Sequence, residues 1–288
     1  MTFAFGRNWQ RFARLVDEAR IANTERYLRR VLEVERLDGR RFLDVGSGSG
    51  LSSLAAWRLG AQVHSFDYDE ESVACTAALR QRFCPSGSGW RVEHGSALDA
   101  DYLRGLGAFD VVHAWGVLHH TGAMWQALEN ALIPLAPGGR FVVTIYNDQG
   151  ARSRAWTMIK RGYNGLPAPL RIPYAALIIG AVEAEAVLRH LVTLRPHVLV
   201  RQWMSYAENR GMSKLFDWID WIGGYPFEVA KPEQIFDFYR RRGLTLTQLE
   251  TTAGLGCNNF VFAAPARAGV SAPARNGVYA ESVGGVAT

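Results

Sequence analysis

Two acids, three closely spaced glycines and a pair of adjacent histidines are the residues of this chain whose types and spacing can do chemistry. Asp44 is followed by Gly46, Ser47, Gly48 and Gly50, and a run carrying Leu and Ala begins at Leu51. Alternating glycines let the backbone take positive φ and approach a ligand closely. A helix start offers N–H groups and partial positive charge to an anion. The apolar residues before Asp44 predict a buried strand, so strand, tight turn and helix start together make a site for a nucleotide-like or carboxylate-bearing cofactor. The next predicted strand, Gln62 to Asp67, ends in an acid placed as a ribose-binding carboxylate is. A dinucleotide fingerprint would need Gly where Leu51 stands. His119 and His120 follow a fourth predicted strand, Phe109 to Trp115. Ligands of open parallel sheets bind at that edge, and imidazole can take a proton from a hydroxyl or amine as a group arrives. The alternative is that both are hydrogen-bonded structural residues. Adjacent histidines diverge and no third ligand is evident, so no metal site is predicted.

The Asp-x-Gly-x-Gly-x-Gly run of 44–50 with an acid closing the second strand resembles the class I S-adenosylmethionine-dependent methyltransferases. Leu118-His119-His120 is similar to the segment of small-molecule, quinone-type methylases, and Pro137-Gly138-Gly139 resembles the turn before their fifth strand. The resemblance covers roughly residues 40–147 and 232–264. It implies S-adenosylmethionine as cofactor, leaving S-adenosylhomocysteine. The loop from Gly46 through Ser47 and Gly48 to Gly50 would hold the methionyl end, with Asp44 shaping the loop or reaching the amino group. Asp67 would bind the ribose. Tyr68 would lie on adenine or merely cap its strand; Ser96 and Ala97 would read the base edge, and Asp99 would add a contact or cap the next helix. Trp115, at the end of the fourth strand, is assigned to the same cofactor site.

These residues need a scaffold. The expected fold is α/β: a doubly wound, seven-stranded, mostly parallel sheet of the Rossmann-like methyltransferase type, with N-terminal helices and a helical insertion after strand five. Predicted strands are Phe42 to Asp44, Gln62 to Asp67, Trp90 to His94, Phe109 to Trp115, Phe141 to Tyr146, Leu244 to Glu250 and Asn259 to Ala263. Predicted helices include Leu51 to Leu59, Glu70 to Phe83, Met124 to Leu135 and Pro232 to Arg240, the last with Pro in its first turn. Residues 1–38 read as a helical lid, 39–147 and 232–264 as the core, 148–231 as a helical cap, and 265–288, rich in Ala, Gly, Ser and Pro, as a disordered tail. The cap leaves the edge of strand five and would close over an acceptor pocket. Its Trp218 and Trp221, with Tyr146 and Asn147 at the strand end and Trp9 in the lid, are the candidate acceptor contacts. The alternative for the aromatics is ordinary packing.

Of the 288 residues 48% are hydrophobic, ample for a core, and the net charge is +5. Residues 148–231 hold eleven Lys and Arg against seven Asp and Glu, the main source of that excess. A basic balance permits RNA, a phosphate-bearing substrate or a membrane surface. No block of like charge or basic-aromatic repeat points to nucleic acid. No stretch is long and apolar enough to span a bilayer, peripheral membrane contact stays open, and nothing bears on oligomeric state. Cys75, Cys84 and Cys257 lack metal-ligand spacing and leave an odd thiol, and Met1 to Gln10 lacks a leader-like apolar run, so a cytoplasmic protein is expected. The reading is methyl transfer to a small organic or lipid-like acceptor, on oxygen, carbon or nitrogen, by in-line displacement, with His119 or His120 as base. The alternatives are an RNA methyltransferase, a cofactor-binding module without catalysis, or a dehydrogenase if the glycines take a dinucleotide.

Overall fold

The computed structural model describes Trp9 and residues 15–85, 88–192 and 221–266. Trp218, the remainder of the expected lid before residue 15, and the expected tail beyond residue 266 lie outside the described residues. Seven strands form one sheet: β1 (Arg41–Val45), β2 (Gln62–Asp67), β3 (Trp90–His94), β4 (Phe109–Ala114), β5 (Leu135–Tyr146), β6 (Thr245–Glu250) and β7 (Cys257–Ala263). Their order is β3-β2-β1-β4-β5-β7-β6, and β7 alone runs opposite to the other six. The order reverses between β1 and β4, so the crevice at their C-terminal ends is the switch point where ligands of such sheets bind. The expected doubly wound sheet is the one observed.

The central strands are apolar because both faces are covered. One face packs Leu43, Val45, Val112, Phe141 and Phe260 beneath α5 (Met124–Asn130) and α8 (Pro232–Arg240). The other packs Phe42, Val63, Val111, Val142 and Val261 beneath α1 (Glu18–Leu32), α2 (Leu51–Arg58) and α3 (Glu70–Phe83). Asp17 caps α1 by accepting the Arg20 N–H at 2.9 Å, and Asp69 caps α3 by accepting that of Glu71 at 3.0 Å. Pro232 opens α8, whose Gln234 Oε1 accepts the Lys231 N–H at 2.9 Å.

Two expectations change at strand five. The helix from Met124 ends at Asn130 rather than Leu135. Pro137-Gly138-Gly139 lies inside β5 instead of preceding it: pairing passes from Phe109 with Leu135 to Val111 with Arg140, so three extra residues loop out of register. The loop holds because the Gly138 N–H donates to the Pro265 carbonyl and the Ala264 N–H to that of Gly139. Beyond β5, α6 (Ala151–Gly165) and α7 (Ala168–Val192) form a helical hairpin with its own apolar centre of Trp156, Tyr163, Ala175, Ile222 and Phe227.

Candidate functional site

The turn after β1 is built from backbone that only glycine takes easily. Gly46, Gly48 and Gly50 have φ of +70°, +53° and +78°. A Cβ at Gly46 would lie 2.2 Å from Val117 Cγ2, and one at Gly48 would lie 3.1 Å from the Trp9 ring. Val117 and Trp9 therefore rest directly on the loop. The N–H groups of Gly46 and Ser47 donate to the Phe66 carbonyl at 2.9 and 3.1 Å. Thr76 secures the turn from α3, with its Oγ1 2.9 Å from Ser47 Oγ and donating to the Gly48 carbonyl at 3.1 Å.

Asp67 closes on this loop. Its Oδ2 accepts the Gly48 N–H at 2.9 Å and its Oδ1 that of Asp69 at 3.0 Å. Burial pushes its carboxyl up to about 6 despite those two donors, with the charges of Asp69 and Asp44 adding to the rise. Asp44 itself is 3% exposed, and its oxygens are engaged within the protein. Oδ2 accepts from Ser53 Oγ at 2.5 Å and Oδ1 lies 3.0 Å from His113 Nδ1. Behind Ser53 stand Ser65 Oγ at 2.7 Å and the Trp90 indole N–H, which donates to Ser65 at 2.8 Å. This chain of hydrogen bonds links β3, β2, β1 and β4 through Trp90, Ser65, Asp44 and His113, with Ser53 of α2 between Ser65 and Asp44.

Tyr68 and Trp115, at the ends of β2 and β4, are 69% and 53% exposed, open enough to present flat surfaces to a ligand. Ser96 Oγ accepts the Leu98 N–H, and the Ala97 carbonyl accepts from Asn130 Nδ2. Asp99 Oδ1 caps α4 (Ala100–Gly105) by accepting the N–H groups of Asp101 and Tyr102 at 3.1 and 2.9 Å. Of the two roles considered for Asp99, capping is the one with a hydrogen bond behind it.

The histidines occupy a 3-10 turn, Leu118–His120, at the other side of the switch point. His119 is fully buried, its Nδ1 is 3.2 Å from the Thr144 carbonyl, and its Nε2 has no hydrogen-bond partner. His120 Nδ1 lies 2.6 Å from the Pro226 carbonyl. Carbonyls only accept, so both Nδ1 atoms carry the proton and both Nε2 atoms carry the lone pair. Burial, the neighbouring His120 and the positive Lys160 hold His119 well below the ordinary histidine value. Burial and Lys160 bring His120 down to about 4. Both rings are neutral acceptors over the physiological range.

Tyr146 joins this turn to the hairpin. Its ring centroid is 4.2 Å from His119, 5.6 Å from His120, 5.3 Å from Trp221 and 4.9 Å from Phe227. The structure thus brings His119, His120, Tyr146 and Trp221 together. Asn147 is not in that group: its Nδ2 donates to the carbonyls of Thr252 and Gly254 and ties the β6–β7 link to β5. Lys160 and Phe227 are the residues that sequence reasoning passed over. Lys160 is 1% exposed, with Nζ donating to the Trp221 carbonyl and standing 4.2 Å from the Trp221 ring centroid and 4.7 Å from that of Phe227. Its signal was available, because a lysine at 160 falls on the apolar stripe set by Trp156 and Tyr163.

Residues 43–141 match the family model described as a methyltransferase domain. Over 110 residues the chain is 34% identical to a ubiquinone biosynthesis O-methyltransferase of Caulobacter sp. (strain K31), covering 38% of this chain and 42% of that protein. Over 121 residues it is 32% identical to a protein of the same description from Paramagnetospirillum magneticum (strain ATCC 700264 / AMB-1), covering 42% and 45%. The match spans less than half the length of these relatives. Among solved structures, PKMT2 from Rickettsia typhi in complex with AdoHcy superposes with a TM-score of 0.57 at 13% identity, over 83% of this chain and 52% of that one. An O-methyltransferase family protein from Burkholderia thailandensis superposes at 0.50 and 13%, over 88% and 62%. At such identities the likeness is one of fold.

Proposed function

The chain carries a class I S-adenosylmethionine-dependent methyltransferase domain, and from that premise we propose that it moves a methyl group from S-adenosylmethionine to a hydroxyl of a small organic or lipid-like acceptor. One observation supports the reading: the glycine turn and the histidine turn both follow strands of the switch point and touch through Val117 against Gly46. On one side the glycine turn delivers its Gly48 N–H to Asp67. On the other, imidazoles with Nε2 lone pairs stand against Tyr146.

The residues of the first half fit a nucleoside bearing an amino acid. Asp67, held by two backbone donors, would accept from the ribose hydroxyls. The turn and the start of α2 would hold the carboxylate end, and exposed Tyr68 and Trp115 offer faces to a flat base. When bound, the cofactor supplies a methyl already activated by its sulfonium. The work left to this chain is alignment and removal of a proton. Tyr146 and Trp221 would position a planar or apolar acceptor, and Trp9 on Gly48 would keep water from the loop. His120 Nε2 would take the acceptor proton as its oxygen attacks, its ring fixed by the Nδ1–H bond to Pro226.

Oxygen as the methylated atom is supported by the description of the curated relatives. The segment 148–231 is assigned as the acceptor cap. A cytoplasmic setting is part of the same reading, supported by the free thiols of Cys75, Cys84 and Cys257. The test is calorimetry with S-adenosylhomocysteine and with NAD, followed by a screen of metabolite extracts for transfer of labelled methyl. Binding of NAD without S-adenosylhomocysteine would reverse the assignment.

A further inference from the structure

We propose that the outer face of α7, together with the exposed arginines of α6, docks this protein on an anionic bilayer surface. Leu170, Ile172 and Leu177 are 51%, 78% and 69% exposed, and Met158 on α6 is 74% exposed. Along α7 the outward positions 169, 172, 173, 176, 177, 180 and 184 recur at helical spacing and are all uncharged. The inner face is different: Tyr174, Ile178, Ile179 and Val182 pack on the Trp156–Phe227 cluster. The helix is therefore apolar on both sides, with one side already used.

Charge selects the partner. Between Asp148 and Glu183 the sequence has no acidic residue and five basic ones. Arg152, Arg154 and Arg161 of these are exposed on α6. Tyr174 Oη donates to the Ile159 carbonyl at 3.2 Å, and the hairpin connection brings Arg161 to the same end as Leu170 and Ile172. Arg161 stands beside the exposed apolar side chains, and Arg152 and Arg154 extend the positive charge along α6 toward the end where Glu183 lies; exposed apolar side chains beside positive charge are what an interfacial helix needs on an anionic leaflet. Among the described residues no helix is long and apolar enough to cross a membrane, so the helix would lie on the surface. The inference deepens the proposed function, from which it takes its purpose: a cap seated on lipid would admit a lipid-like acceptor directly to Tyr146.

The experiment is co-sedimentation of the full chain with vesicles of phosphatidylcholine alone and of phosphatidylcholine mixed with phosphatidylglycerol, with calorimetry of S-adenosylhomocysteine in parallel. The expected result is binding to the mixed vesicles that weakens with salt. Combining Arg152→Gln, Arg154→Gln and Arg161→Gln should weaken it by roughly a hundredfold. Combining Ile172→Glu and Leu177→Glu should weaken it at least about tenfold, and both variants should still bind S-adenosylhomocysteine. Equal binding to both vesicle types, no binding to either, or a concentration-dependent dimer that Ile172→Glu dissolves would each overturn the inference. Loss of S-adenosylhomocysteine binding in the unaltered protein would instead overturn the function proposed above.

Discussion

The Gly48 N–H donates to Asp67 Oδ2 at 2.9 Å, so the glycine loop and the acid proposed to hold the ribose are one hydrogen-bonded unit. That unit has a titration of its own. Burial lifts the Asp67 carboxyl from its ordinary 3.8 to about 6. Above that pH the group is an anion able to accept from ribose hydroxyls; below it, a proton competes for the same oxygens. Affinity for S-adenosylhomocysteine should therefore fall by up to about tenfold per pH unit below 6, as read by calorimetry. Stability of the free protein moves the other way. A raised folded-state value means that Asp67 contributes stability at low pH and loses it as pH rises from about 4 through 6. Asp67→Asn, whose amide can accept only one of the two backbone N–H groups, should weaken S-adenosylhomocysteine about tenfold or more. An affinity flat from pH 7 to pH 5 would remove Asp67 from the ribose site.

The histidines carry the opposite sign. The folded state holds His120 at about 4 and His119 well below its ordinary value, while the unfolded chain protonates both near 6.5. Their contribution to stability is present above that pH and is lost as pH falls from about 6.5 toward 4. Replacing both with Gln should flatten the urea-midpoint profile across that window. For catalysis, the acid limb of turnover should lie near 4, and Lys160→Met should move it upward by removing a positive charge that both imidazoles feel. His120→Ala should lower turnover by about a hundredfold with binding of S-adenosylhomocysteine preserved. An acid limb near 6.5 in the unaltered enzyme would take the base role away from His120.

Strand runs of Val, Leu and Phe ending in Asp44 and Asp67 were readable because a central parallel strand must be apolar on both faces. The glycine turn was readable for a related reason: each glycine meets a demand for positive φ or for close approach. What escaped prediction depends on partners distant in sequence. Pro137-Gly138-Gly139 looks like a turn locally, and only the backbone groups of Gly139 and Pro265 keep it in the sheet. Asn147 follows Tyr146 into the acceptor region by sequence, yet carbonyls more than a hundred residues away capture its amide. Lys160 was passed over because a lysine is ordinarily read as surface; it is buried among rings and beside a carbonyl contributed by residues some sixty positions later.

The glycine positions separate strain from collision. Gly243 has φ of +81° and nothing within 4 Å of a would-be Cβ, at the end of α8 where the Leu244 N–H donates to the Tyr239 carbonyl. Gly243→Ala should cost only the left-handed backbone, about 1 kcal/mol. Gly46→Ala carries the same backbone cost and drives a methyl to 2.2 Å from Val117 Cγ2. It should cost about 1–3 kcal/mol more, since Val117 lies beside the buried His119 turn and cannot simply swing away. Urea unfolding of the two variants makes the comparison, and equal losses would mean that Val117 yields freely.

The chain from Trp90 to Asp44 has a forced direction, which permits a cycle test. An indole N–H can only donate, so Ser65 accepts from Trp90 and passes its own proton to Ser53, which donates to Asp44. Ser65→Ala leaves the buried Trp90 N–H without its acceptor and should cost about 1–3 kcal/mol. Trp90→Phe removes the donor and trims the indole, with its own packing cost. In the double variant no N–H is stranded, so the combined loss should fall short of the sum of the single losses by about 1 kcal/mol or more. Ser53→Ala acts one step closer to the loop: it strips Asp44 of a donor, and it should lower affinity for S-adenosylhomocysteine as well as stability. Additive losses in the Trp90 and Ser65 pair would mean that the hydrogen bonds act independently, and unchanged affinity in Ser53→Ala would separate Asp44 from the shape of the glycine turn.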